Sequence, residues 1–125
     1  MFNQPAPVEW NFPHFKKSEF ACKCGCGFDS INHNVVALLE DIRSHFGDRP
    51  VVVTSGCRCA YWNSKQAGSV QGSRHVLGKA SDFYIDGVDK WELKNYCQSL
   101  VNQGRARYTY TGTAGMGNAV HIDIL

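Results

Sequence analysis

Two separated stretches of the sequence carry side chains that could bind one metal ion together. His75 and Asp82 follow a glycine-rich stretch, and His121 lies near the carboxyl end of the chain. A catalytic zinc ion uses three protein ligands and one open position, and imidazole nitrogens with a carboxylate oxygen are suitable donors. Zinc held by this set would lower the pKa of bound water to about 7 and polarise a carbonyl group, which suits the hydrolysis of an amide.

Spacing alone leaves other interpretations open. A histidine and an aspartate at the separation of His75 and Asp82 also fit a surface ion pair or a hydrogen-bonded pair in the core. Strand alternation over residues 120–124 places His121 and Asp123 on one face and apolar residues on the other. Polar side chains that point away from an apolar core need water, a partner or a metal.

The hydrophobic pattern predicts the elements that must position these residues. Apolar residues recur at helical spacing over 31–46 and 89–103, and a shorter helix is expected over 60–66. Alternating or β-branched stretches predict strands over 50–54, 79–85, 105–111 and 119–125. Two main helices and about four short strands predict an α+β domain with a mostly antiparallel sheet. The glycine-containing segment 55–79 is expected to be a functional loop.

Composition limits the classes of function. The 125 residues contain 13 Lys and Arg and 11 Asp and Glu, which gives a formal net charge of +2. This near-balance argues against binding to nucleic acid or to an anionic membrane surface. We expect one domain over residues 1–125, with an irregular extension over 1–20. The sequence shows no membrane-spanning stretch and no recognisable secretory signal, so we expect synthesis in the cytoplasm and no membrane insertion.

The spacing of the cysteines leaves their state open. Six are present, at Cys22, Cys24, Cys26, Cys57, Cys59 and Cys97. Structural zinc, one or two disulfides, and free buried thiols are all compatible with these positions.

Two motifs indicate a family. The chain resembles the zinc-dependent D-alanyl-D-alanine carboxypeptidase family in the motif HxxGxAxD over 75–82 and the motif HxD over 121–123. This family includes L-alanyl-D-glutamate endopeptidases of phage lysins and shares its metal-site fold with the hedgehog signalling domain. The resemblance runs from about Phe20 to Ile124. It includes the Ser-Gly-Cys-Arg segment over 55–58, together with Asn63 and Gly68 in the loop.

The resemblance implies a role for each matching residue. His75, Asp82 and His121 would bind one catalytic zinc ion. Arg58 would stabilise the carbonyl oxyanion or bind a substrate carboxylate, which a guanidinium does with two parallel hydrogen bonds. Ser73 would hydrogen-bond the substrate near the metal.

Two positions depart from the family pattern. Several members carry an acidic general base three residues before the second histidine ligand, where this chain has Asn118, and an amide cannot take a proton from water. Asp123 is the nearest carboxylate that could act instead. Its alternative role is a hydrogen bond that orients His121 or a neighbouring strand. The second departure is Cys57, at a position where the family usually has tyrosine.

These observations predict a monomeric zinc peptidase that hydrolyses the stem peptide of peptidoglycan. The bond would be either the terminal D-Ala-D-Ala bond or an internal L,D bond, and Trp62 could line the cleft or stack on a sugar. The enzyme would act on the cell wall after phage-mediated or lysis-mediated release. The alternative is a non-catalytic wall-binding or phage structural module that retains the zinc site.

Overall fold

The computed structural model describes residues 9–66 and 73–125, and these form an α+β domain. Its helices are His33–His45 (α1), Ala60–Ser64 (α2) and Lys90–Asn102 (α3), and its strands are Val51–Ser55 (β1), Ala80–Ile85 (β2), Tyr108–Thr111 (β3) and Val120–Asp123 (β4). Short 3-10 turns occupy Lys17–Phe20 and Arg74–Leu77. The predicted fold class is therefore confirmed. Gly68, which belongs to the family resemblance, lies outside the described residues.

The sheet is antiparallel throughout, in the order β1-β2-β4-β3. Asp82 on β2 pairs directly with His121 on β4, and Tyr110 on β3 pairs with His121 from the other side. Directly opposed residues share a face of the sheet, with Cβ atoms about 5 Å apart. Register alone thus places three polar side chains in one row across the sheet.

The opposite sheet face belongs to the core. Val120 and Ile122 of β4 are fully buried, as are residues on the inner faces of both long helices: Val35, Val36, Leu39, Ile42, Leu93 and Cys97. Phe15 and Phe20 are also buried, so the described part of the predicted irregular extension packs into this core. His121 and Asp123, on the polar face, are buried as well. Within residues 9–66 and 73–125, no helix has the length and apolar character that a membrane crossing requires.

The turn that carries His75 is held by its two ends. Ser73 begins the turn, and its Oγ accepts a hydrogen bond of 3.3 Å from the amide of His75. Gly78 ends it with a φ of 68°, in the left-handed region. A Cβ at Gly78 would collide with the carbonyl oxygen of Ser30. Glycine is required here both for backbone conformation and for close packing.

The substitution Gly78→Ala should lower the free energy of unfolding by about 3 kcal/mol, because left-handed strain and the collision with Ser30 act together. Gly104→Ala is the matched control, since Gly104 has a φ of 76° and open space around it. The control should cost only about 1 kcal/mol, from strain alone. Denaturant titration measures both variants, and equal costs would contradict the packing argument.

Candidate active site

Three side chains from different segments meet in one place. Oδ1 of Asp82 lies 2.8 Å from Nδ1 of His121 and 3.2 Å from Nε2 of His75. One potential ligand atom from each residue lies within 4.8 Å of the other two. The three residues are 2%, 7% and 4% exposed, in the order His75, Asp82, His121.

The hydrogen bond behind His75 decides which of its nitrogens faces the site. Nδ1 lies 2.7 Å from the carbonyl oxygen of Gly56. Because a carbonyl oxygen only accepts, Nδ1 must carry the proton and donate it. The neutral ring then presents the lone pair of Nε2 to the carboxylate of Asp82.

His121 is held in the corresponding way by Asp123. Oδ2 of Asp123 lies 2.6 Å from Nε2 of His121, and in the neutral tautomer in which Nε2–H donates to it, the lone pair of Nδ1 faces Asp82. Lone pairs on two neutral imidazoles and a carboxylate thus converge on one point. A cation at that point would satisfy all three, and two nitrogens with one oxygen are a donor set that zinc accepts. The residues therefore fit a zinc ion.

The electrostatics favour a positive charge between these groups. Burial by itself would raise the pKa of Asp82, but when no metal is bound and the rings are protonated, hydrogen bonds from His121 and His75 and the charges of both rings hold that pKa well below its usual range. Burial would likewise lower the pKa of His121, but its hydrogen bonds with Asp123 and Asp82 outweigh burial and raise the pKa. A proton and a metal ion would thus compete for Nδ1 of His121.

Asp123 is fixed by an arginine that the sequence analysis did not single out. Nε and one terminal nitrogen of Arg107 donate to the two oxygens of Asp123 at 2.7 and 2.8 Å. Asp123 is 1% exposed. Burial would raise the pKa of Asp123, but the hydrogen bonds from His121 and Arg107 lower it. Asp123 therefore stays ionised, with both oxygens engaged.

The metal-ligand candidates open onto a cavity of about 1060 Å³. Its wall includes the three of them and the guanidinium-bearing residues Arg58, Arg74 and Arg107. Ser73 and Asp123 also line it. The candidate metal site thus opens onto a large cavity whose arginine side chains are suited to bind carboxylate groups of a substrate.

The comparison with family models gives the same assignment. A model described as Peptidase M15 matches residues 13–123, which is most of the chain. The chain belongs to the M15 peptidase family. The predicted resemblance to zinc-dependent D-Ala-D-Ala carboxypeptidases is thereby confirmed at the level of the family. Comparison with curated proteins and with solved structures found no significant match.

In this M15 peptidase, Arg58 is oriented by three acceptors. Its Nε donates to Oγ of Ser55 at 2.9 Å, and its terminal nitrogens donate to Oδ1 of Asn63 at 3.3 Å and to Oδ2 of Asp82 at 3.2 Å. The amide of Arg58 also donates to the carbonyl of His75 at 3.0 Å. The guanidinium is therefore fixed beside the metal-ligand candidates and faces the cavity.

Tyr110 is a site residue of the peptidase that the sequence analysis missed. Its ring stacks on the ring of His121, with centroids 4.6 Å apart and an interplanar angle of 23°. Tyr110 lines the cavity, and burial followed by the charge of Asp82 raises its pKa. Its hydroxyl is thus a neutral donor near the site. A strand over 105–111 was predicted from the sequence, but its register against His121 was not.

The structure brings six of the seven predicted site residues to the cavity of the peptidase: Arg58, Ser73, His75, Asp82, His121 and Asp123 line it, whereas Trp62 does not. Trp62 lies half-buried on α2 and is absent from the described lining of this cavity. Asn118 is exposed in the turn before β4.

Proposed function

We propose that this chain is a zinc-dependent peptidase that cleaves the stem peptide of peptidoglycan, at the terminal D-Ala-D-Ala bond or at an internal L,D bond. One observation carries the proposal. Potential ligand atoms of His75, Asp82 and His121 lie within 4.8 Å of one another, beside a cavity large enough for a peptide. Membership of the M15 family supports the same reaction class.

The cavity suits the chemistry of this substrate. Stem peptides carry free carboxylates, and guanidinium groups of Arg58, Arg74 and Arg107 line the cavity. When bound, zinc would supply a Lewis acid that polarises the scissile carbonyl and makes water more acidic. Arg58 would donate to the developing oxyanion or to a substrate carboxylate, and the Ser73 and Tyr110 hydroxyls would donate to the peptide.

The contacts of Asp123 favour an orienting role over that of general base. Both of its oxygens are occupied by Arg107 and His121, and its lowered pKa makes it a weak proton acceptor. We propose that Asp123 holds the His121 ring with Nδ1 facing the metal position. Asp82 and Asp123 are the carboxylates among the described residues that line the cavity, so the base role of Asp123 is the alternative to test.

The substitution Asp123→Asn separates the two roles. If Asp123 orients His121, the substitution should lower zinc affinity by about 10- to 100-fold, and saturating zinc should restore turnover. If Asp123 is the general base, the substitution should leave zinc affinity near that of the wild type, and turnover should stay low at any zinc concentration. Zinc titration followed by rate measurement at saturation distinguishes these results, and low turnover at full occupancy would contradict the orienting role.

Product analysis tests the proposed reaction. Purified protein with zinc is incubated with defined muropeptides, and the products are identified by mass spectrometry. Release of D-Ala indicates a carboxypeptidase, whereas two shorter peptides indicate an endopeptidase. Asp82→Asn protein is the inactive control. No product from either bond would overturn the proposal.

A non-catalytic wall-binding or phage structural module is the second candidate. Asn118 favours it, because several members of the family carry an acidic general base at that position. Such a module would co-sediment with peptidoglycan and release no amines.

The proposed enzyme would act as a monomer on the cell wall, after release by a phage or by lysis.

A further inference from the structure

Four cysteines form a second cluster, outside the cavity of the peptidase. This thiol cluster consists of Cys22, Cys24, Cys26 and Cys59. Sγ of Cys24 lies 3.4 Å from Sγ of Cys22 and 3.5 Å from Sγ of Cys59. All four sulfur atoms lie within 4.8 Å of one another.

These separations match those around a tetrahedral ion. Four sulfurs at a zinc–sulfur distance of about 2.3 Å are about 3.8 Å apart. The thiol cluster therefore encloses a space close to that of a four-sulfur site, and small side-chain rotations would complete it. Four thiolate ligands are typical of structural zinc.

Backbone amides support the sulfur atoms. The amide of Cys59 donates to Sγ of Cys22 at 3.4 Å, and the amide of Trp62 donates to Sγ of Cys59 at 3.4 Å. Gly25, between Cys24 and Cys26, has a φ of 83°, a left-handed conformation that glycine adopts without strain and that turns the chain within the cluster. Amide donors to ligand sulfurs are the kind of contact that orients and stabilises metal ligands.

The other two cysteines are packing residues, and they differ from the thiol cluster in exposure. Cys57 and Cys97 are 1% and 0% exposed and belong to the hydrophobic core. Cys24 and Cys26 are exposed, so burial of apolar surface does not account for them. Cys59 lies 35 residues after Cys24 in the sequence, yet its sulfur contacts that of Cys24. The fold thus brings thiols from two distant segments together.

We propose that the thiol cluster binds a second zinc ion, in a closed structural site distinct from the His-Asp-His site. The ion would tie the segment around Cys22 to the residue that directly follows Arg58. The two segments already touch, since the amide of Cys57 donates to the carbonyl of Phe20 at 2.8 Å. The site would thus hold the backbone that presents Arg58 to the cavity.

The experiment counts zinc in a variant that lacks the first site. His75→Ala and Asp82→Ala are combined, and the protein is purified from zinc-supplemented cells under reducing conditions. We expect this variant to retain one zinc ion per chain by elemental analysis. Adding Cys24→Ser and Cys26→Ser should remove that ion. Because the count is made without the first site, it does not depend on the peptidase activity.

Wild-type protein supplies a second measurement that does not require a variant to fold without its first site. Cobalt bound by four thiolates gives an intense charge-transfer absorption in the near ultraviolet, which histidine and aspartate ligands do not. Cobalt-loaded wild type should show this absorption, and Cys24→Ser with Cys26→Ser should lose it. Cys97→Ala is the matched control and should leave both absorption and zinc count unchanged.

Two results would overturn the proposal. One is a folded His75→Ala, Asp82→Ala protein that holds no zinc. The other is cobalt-loaded wild type without the thiolate absorption, whether the four thiols are free or joined as disulfides.

Discussion

Replacing Asp82 with asparagine should remove zinc from the His-Asp-His site and reduce peptidase activity by about 1,000-fold or more, which is about 4 kcal/mol of transition-state stabilisation. Oδ1 of Asp82 is the point on which both imidazoles converge. An amide of the same shape carries no negative charge. It can also present an NH2 group to the imidazole lone pairs, and that hydrogen bond would compete with the metal.

The measurement pairs zinc content with the rate of muropeptide hydrolysis. Asp86→Asn is the matched control, because Asp86 is exposed in the turn after β2 and should change neither quantity. Full hydrolysis by Asp82→Asn protein would reject Asp82 as a ligand. Loss of activity with full zinc content would assign Asp82 to another catalytic role.

Replacing Arg58 with alanine should reduce kcat/KM by about 100- to 1,000-fold, the usual effect of removing one donor to a developing oxyanion. The guanidinium is already fixed by Ser55, Asn63 and Asp82, so little reorganisation is needed when charge develops. Arg58→Lys should recover only part of the activity, since an ammonium group lacks the planar fork that reaches all three acceptors.

The distribution of the loss identifies what Arg58 binds. A fall in kcat indicates an oxyanion, whereas a rise in KM at constant kcat indicates a substrate carboxylate bound equally in the ground and transition states. Arg105→Ala is the control, because Arg105 pairs with Asp41 on the surface and lies away from the cavity. Wild-type kinetics in folded Arg58→Ala protein would remove Arg58 from the mechanism.

The secondary structure was largely predictable, because its causes are local. The helix expected over 31–46 forms over His33–His45, where Asn32 caps the first turn and apolar residues recur at helical spacing. The strand expected over 105–111 is shorter and begins at Tyr108, the first residue that pairs with β4. Strand ends depend on the partner strand, which a local pattern does not contain.

The role of Asp123 and the state of the cysteines were less predictable. Alternation placed Asp123 on the face of His121, but the bidentate contact with Arg107 arises only when β3 and β4 are paired. Spacing left the cysteines compatible with zinc, disulfides or free thiols. Only folding brings Cys59 to Cys24, because contact across that sequence distance depends on the whole chain path.

By itself, the sequence determined the α+β class, the family and the candidate zinc ligands, since residue type, periodicity and motif spacing are written along the chain. Only the tertiary structure decided that Asp82 lies opposite His121 in register, that Tyr110 stacks on the same ring, that Trp62 lies off the cavity wall and that four thiols meet. These contacts join residues far apart in sequence. Their geometry follows from strand pairing and core packing, which no single segment specifies.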